Sequence, residues 1–328
     1  MSASRRTLGF SALHYAPLIL FAVVLAAFGA VAPKFLSAEN FVNIAVQAAP
    51  VGIVATGMTL VLIVAGVDLS VGAIMFVAAA VAGKMALAGQ PVWLALIAMV
   101  AIGTGFGAVN AFFITRLRIV AFIVTLALLF VGRGFALWLT QTRAMNLPDG
   151  FLLIGTRRVA GVPLPLLALA VVAVAAHLGL TRTPFGRQLY ALGDHAENAR
   201  KAGLATGRLM VAVYVISGIC AAVGAIFTLG QLGAVSPKFG ESYEFKAIAA
   251  AVLGGTSLFG GRGAVLPGTV LGALLIQSVE NGLVVLNADP YLYPLITSGV
   301  IFLAVLLDSA RHALLARLGV RKIRKEVA

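Results

Sequence analysis

The stretch from Gly57 to Gly72, G-M-T-L-V-L-I-V-A-G-V-D-L-S-V-G, sets a single acid between two long apolar runs. From Asn40 to Gly83, Asp68 is the only side chain charged at neutral pH. Its surroundings therefore offer almost no ionic solvation, and the simplest environment of that kind is a lipid bilayer. A charge in hydrocarbon costs about 3 kcal/mol on insertion scales, so an acid kept there caps a helix, lines water or meets a partner.

The rest of the chain has the same character. Of 328 residues, 61% are hydrophobic and 11% charged, with a mean hydropathy of +1.05, far outside the range of a soluble globular domain. A polytopic, all-α transmembrane bundle follows. At about 20 residues per helical span there is room for roughly ten spans and no extramembranous domain, so residues 1–328 read as one transmembrane domain. The lone cysteine, Cys220, lies among Ala, Val and Ile and provides neither a disulfide framework nor a thiolate metal site. The start, M-S-A-S-R-R-T-L-G-F, lacks a small-residue cleavage site after a short apolar core, so an uncleaved first span is expected. A net charge of +13 raises the question of nucleic acid, but the basic residues are spread through short loops and a tail at 309–328. Their distribution reports orientation.

Spans are expected at about 15–31, 44–65, 71–87, 92–114, 119–140, 164–180 and 209–232. The next apolar run, 247–259, is too short to cross alone, so it starts earlier, near Tyr243, or is a broken helix. A ninth span ends near Leu286 and a tenth covers about 291–307. With both termini cytoplasmic, Arg5, Arg6, Arg116, Arg118, Arg182, Arg187, Arg200, Lys201, Arg208, Arg262 and the basic tail fall inside. Outside are Lys34, Lys84, Arg143, Arg157, Arg158, Lys238 and Lys246. That bias supports the orientation.

Three segments carry the functional signal. Asp68 and Ser70 are expected at the cytoplasmic turn between the second and third spans. There they cap a helix end, or line or gate a path with Gly66, Asn110, Phe122 and Thr125, or do both. Asn110, Thr125 and Gln277 are polar residues on apolar faces that either hydrogen-bond between helices or touch a passing solute. In the second segment, 247–279, Arg262 is the sole charge. Gly254, Gly255, Gly260, Gly261, Gly263 and Gly268 in it suit tight turns and close helix packing. The third is the polar loop 182–208. After Pro184-Phe185-Gly186 it forms a short amphipathic helix, then a second helix capped near Asp194, a surface suited to a soluble partner. Gly103, Gly105, Gly107 and Ala108 mark another helix contact. Arg133, inside a span, is expected to be held by helix carbonyls or by an acid such as Glu280. His177 and His195 are not spaced to bind a metal, and His14 and His312 look interfacial. No catalytic constellation is visible, and G-x-x-x-x-G-K-[ST] is absent.

Together, G-M-T-L-V-L-I-V-A-G-V-D-L-S-V-G-A-I, A-L-G-D-H-A-E-N-A-R-K-A-G and Y-E-F-K-A-I-A-A-A-V-L-G-G-T-S-L-F-G-G-R-G resemble the permease subunit of ribose-type (monosaccharide) ABC importers. These belong to the branched-chain amino acid/ribose permease superfamily. The resemblance implies a permease dimer in the bacterial inner membrane and a periplasmic sugar-binding protein. It also implies a cytoplasmic ATPase that uses ATP and Mg, with no cofactor in this subunit. It makes Gly186, Leu192, Gly193, Asp194, Asn198, Ala199 and Gly203 the ATPase-coupling residues, and Tyr243, Glu244 and Lys246 contacts for the binding protein. Gly193-Asp194-His195 stands where G-G-N is usual, Lys246 where an acid is usual, and Val120 where Pro or Gln is common. The rival reading is an ion-coupled secondary sugar transporter with Asp68 as its ion site.

Overall fold

The computed structural model describes residues 16–289 continuously, then 291–293, 295–299, 302–303 and 306. Residues 294, 300–301, 304–305 and 307 of the expected tenth span, His14, His312 and the tail at 309–328 lie outside the described residues. The fold is helical. Helices α1 (Ala16–Val31), α2 (Ala38–Ile63), α3 (Val71–Leu87), α4 (Val92–Thr115) and α5 (Ala121–Thr140) precede a short α6 (Asp149–Thr156). Next come α7 (Leu164–Arg182), α8 (Pro184–Asp194), α9 (Ala196–Lys201), α10 (Thr206–Leu232), α11 (Tyr243–Leu253) and α12 (Val270–Val285), the last entered through a π-type turn, Val265–Thr269. Six helical segments among the described residues are long and apolar enough to cross a bilayer.

The centre of the bundle is α2, whose residues are all buried from Ala48 to Ile63. A helix apolar on every side belongs inside. It starts six residues before the expected 44 because Ser37 caps it, its side chain accepting the Asn40 N–H at 3.2 Å. Pro50 sits in its interior and has no N–H to give the Val46 carbonyl. The Gln231 side-chain amide on α10 donates to that carbonyl instead, at 2.9 Å. The neighbouring α4 packs antiparallel on α10 through glycine. A Cβ at Gly103 would enter the α10 backbone at Gly218, and one at Gly107 would enter it at Tyr214, whereas Gly105 faces open space. The small-residue pattern thus resolves into a four-residue repeat that brings two backbones together.

Segment 141–163 lies at the end of the bundle where α10 finishes. Strand β1 (Met145–Asn146) pairs antiparallel with β4 (Ala234–Val235), and β2 (Arg158–Val159) pairs with β3 (Val162–Pro163). The β2–β3 link, Ala160-Gly161, has positive φ at both residues, as a two-residue hairpin requires. We call this the hairpin end. The other, at Ile63, Thr115 and Thr206, is covered by α8.

Two helices are shorter than a full span. With a rise of 1.5 Å per residue, α3 is about 25 Å long and α11 about 16 Å, against about 30 Å of hydrocarbon. The expected eighth run does start at Tyr243, and it also breaks, at Gly254. The two breaks mirror each other. After α2 reaches the α8 end, residues 64–70 turn back inward before α3 begins. After α10 reaches the hairpin end, residues 236–242 turn back inward before α11 begins. The segments meet where Gly240 and Glu244 abut Gly72.

This corrects the expected position of Asp68. Its carboxylate bonds Ser217, which lies about 16 Å along α10 from Thr206, a helix about 40 Å long. Asp68 is therefore near mid-depth in the bundle. The expected boundary at 65 falls two residues past the end of α2 at Ile63, and the chain returns inward before the next helix starts.

Candidate functional site

Asp68 is fully buried and both of its oxygens are engaged. The Ser70 N–H and Ser70 Oγ–H donate to Oδ1 at 3.0 and 2.6 Å, and Ser217 Oγ–H donates to Oδ2 at 2.8 Å. Asn110 Nδ2 on α4 donates in turn to Ser70 Oγ at 2.8 Å. One residue earlier, the Val67 carbonyl accepts from Thr125 Oγ on α5 and from the Tyr214 hydroxyl on α10, each at 3.3 Å. Gly66 lets this happen, since a Cβ there would lie 2.7 Å from the Tyr214 oxygen. Side chains of α4, α5 and α10 thus clasp the unwound 64–70 segment. Of the residues expected on a path, Gly66, Asp68, Ser70, Asn110 and Thr125 converge. Phe122 lies on the exposed face of α5. Gln277 bonds Gln47 at 3.0 Å, between α12 and α2.

At the α8 end, the amphipathic helix begins as its sequence directs. Thr183 is the N-cap, Pro184 opens the first turn, and Gly186 fits against the Leu180 backbone. The helix runs through Asp194, so the cap of α9 is His195, which makes no side-chain cap bond, and Asp194 does not fill that role. The apolar face of α8 buries Leu189 and Leu192. Gly193 lies against the Ile63 carbonyl so closely that any Cβ would overlap it. That carbonyl accepts the Gly261 N–H at 2.9 Å. The Tyr190 hydroxyl donates to the Gly263 carbonyl at 2.8 Å, and burial pushes its pKa up, so it stays a donor at neutral pH. The opposite face leaves Arg187, Asp194, Glu197, Asn198 and Arg200 exposed, while Ala199 is buried and Gly203 makes the turn after α9 with a positive φ.

The glycine-rich segment packs backbone on backbone. Gly254 and Gly268 abut each other, Gly260 touches the Gly193 carbonyl and Ala65, and Gly263 sits beside Thr256 and Ile63. Gly255, Gly260 and Gly261 take positive φ. At the start of α11, Glu244 is buried against Gly72, and the Tyr243 hydroxyl lies 3.2 Å from Thr228 Oγ1. Lys246 pairs with Glu280 at 2.6 Å and stands 5.7 Å over the Tyr243 ring. Glu280 is therefore not the partner of Arg133. The Arg133 Nη2 and Glu244 Oε2 atoms are buried without a hydrogen-bond partner among the described residues.

Sequence reasoning missed Ser217, Tyr214 and the Gly72–Gly240–Glu244 junction. The signal for the first was a Ser-Gly pair in an otherwise apolar helix, which reads as a close contact but does not say with what. The junction left no signal, because its two halves are far apart in sequence.

The family described as the permease component of the branched-chain amino acid transport system matches residues 40–307. The ribose import permease of Haemophilus influenzae is 35% identical over 88% of this chain and 90% of that protein. The D-allose transport system permease of Escherichia coli is 33% identical over 90% of this chain and 91% of its own length. The fructose import permease of Rhizobium meliloti is 33% identical over 89% and 84%. No solved structure matches the chain. A family match across most of the chain and relatives this similar over nearly their whole length give one conclusion: the chain belongs to the branched-chain amino acid transport system permease-component family, as a ribose-type ABC importer permease that carries out no chemistry itself.

Proposed function

We propose that this permease passes a monosaccharide of the ribose, allose or fructose kind across the bacterial inner membrane by alternating access. A partner ATPase, using ATP and Mg, drives it by gripping α8 and α9, and a periplasmic binding protein delivers the sugar at the hairpin end. The chain makes ten spans with cytoplasmic termini and works as a dimer with a second permease subunit. Arg116, Arg118, Arg182, Arg187, Arg200, Lys201, Arg208 and Arg262 gather at the α8 end, which supports a cytoplasmic α8.

The observation that carries this reading is the seating of α8. A helix lying across the bundle end, its backbone against Ile63 and its polar face outward, is built to be pushed or pulled by something docked on that face. The membrane part needs only weak hold on the sugar, since the binding protein supplies affinity. Asp68 as a coupling-ion site is not favoured, because protein donors already occupy both of its oxygens.

The test is reconstitution of the permease with its genomic neighbours in proteoliposomes, with uptake of D-ribose, D-allose and D-fructose measured. ATP-dependent uptake of at least one sugar, unaffected by ionophores, is expected. Uptake that needs an ion gradient and ignores ATP would refute it.

A further inference from the structure

The junction of the two short helices, α3 and α11, holds polar groups that the clasp around Asp68 does not use. The first turns of α3 and α11 both begin inside the bundle, and the free N–H groups of a helix start favour negative charge and acceptor oxygens. Glu244, in the first turn of α11, is 4% exposed. Its Oε2 lies over Gly72, the second residue of α3, where any side chain would displace it. That oxygen has no donor within the described residues. Arg133 on α5 follows Gly132, which packs against Ala73 in the first turn of α3 and so sets Arg133 beside this junction; no ion pair joins it to Glu244, and its Nη2 is likewise unpartnered among the described residues. A buried carboxylate oxygen and a buried guanidinium nitrogen are each costly to leave unmatched. Such groups persist where a guest completes them.

We propose that Glu244 and Arg133, brought together where the starts of α3 and α11 meet Gly72, form a transient contact point for the hydroxyl groups of a polyol crossing the permease. The chemistry matches. A sugar hydroxyl donates its proton to a carboxylate and accepts from a guanidinium, and two neighbouring hydroxyls span two such groups. Glycine at position 72 keeps the carboxylate at the junction. The assignment moves Glu244 from a surface contact for the binding protein to the interior, and it rests on the sugar-importer reading above.

The experiment uses the reconstituted complex and reads selectivity, the ratio of uptake rates for D-ribose and 2-deoxy-D-ribose, or the matching deoxy pair for whichever sugar is transported. That ratio does not depend on how much protein folds, and the binding protein's own preference cancels when variants are compared. Glu244→Gln and Arg133→Gln are each expected to change the ratio about tenfold for at least one deoxy position, with Arg133→Lys falling between. A ratio unchanged in both Gln variants, whatever happens to the absolute rate, overturns the proposal and leaves these residues structural. If the unmodified complex transports none of the sugars, the importer reading itself has failed, and the inference with it.

Discussion

Replacing Gly193 by alanine tests the seating of α8 most directly. The atoms that a methyl group would meet are the Ile63 carbonyl oxygen and carbon and the Gly261 nitrogen, all backbone, so no side-chain rotation relieves the overlap. Either α8 lifts or the Ile63–Gly261 contact opens. Forcing an added carbon into a packed site costs about 1–3 kcal/mol. If the helix lifts, loss of the Tyr190 bond to Gly263 adds about 1 kcal/mol; if the contact opens instead, loss of the Gly261 N–H bond to Ile63 adds about as much. The total, about 2–4 kcal/mol, corresponds to a shift of about 30-fold or more in the opening equilibrium of α8. Hydrogen exchange read by mass spectrometry in nanodiscs should show protection lost over residues 184–194, with α4 and α10 unchanged. Tyr190→Phe, which loses one bond without a clash, should show a shift of about tenfold or less. Native-like protection of α8 in Gly193→Ala would mean that the helix does not rest on Ile63, and the argument for a coupling surface would lose its geometric basis.

Asp68→Ala strips the acceptor from three bonds and should destabilise the protein by about 2–4 kcal/mol. It should be read as a lowered unfolding midpoint in detergent. Ser217→Ala should cost less, and the double variant no more than Asp68→Ala alone, because the two share one bond. Gln231→Leu orphans the Val46 carbonyl and should cost about 1–3 kcal/mol in the same assay. Pro50→Ala added to it restores a backbone N–H to that carbonyl and should recover most of the loss; no recovery would show that Gln231 matters for another reason.

Much of this architecture is legible in the sequence because hydropathy and turn chemistry act locally. The third span, 71–87, coincides with α3, and Thr140, Leu164 and Leu232 bound helices as the pattern indicates. What escapes is depth. Hydropathy locates the break at residue 65, two residues past the end of α2, but it cannot register that the chain folds back about halfway through the bundle, since residues 64–70 would look the same at an interface. The pairing of charges escapes for a related reason. Glu280 is the acid that apolar context offers Arg133, but Lys246, on the adjacent helix, takes it. Gly103 and Gly107 are recognisable as a contact, yet Gly105 between them touches nothing, a distinction only the helix phase in three dimensions makes.

The acid in the middle of the apolar stretch follows from the break it accompanies. An unwound backbone inside a bundle must find partners for each polar group, because hydrocarbon offers none. Along 64–70 those partners can be traced. The Ala65 and Gly66 N–H groups turn back to Leu62 and Val61, Val67 gives its carbonyl to Thr125 and Tyr214, and Ser70 gives its N–H to Asp68. Asp68 thereby terminates the unwound segment much as a cap terminates a helix, while Ser217 ties that terminus to α10. A continuous helix through these residues would satisfy its own carbonyls and leave the carboxylate without donors. An unwound chain lacking the acid would leave the Ser70 N–H and two hydroxyls without an acceptor. The charge and the break therefore stabilise each other, and together they set the start of α3 against Gly240 and Glu244.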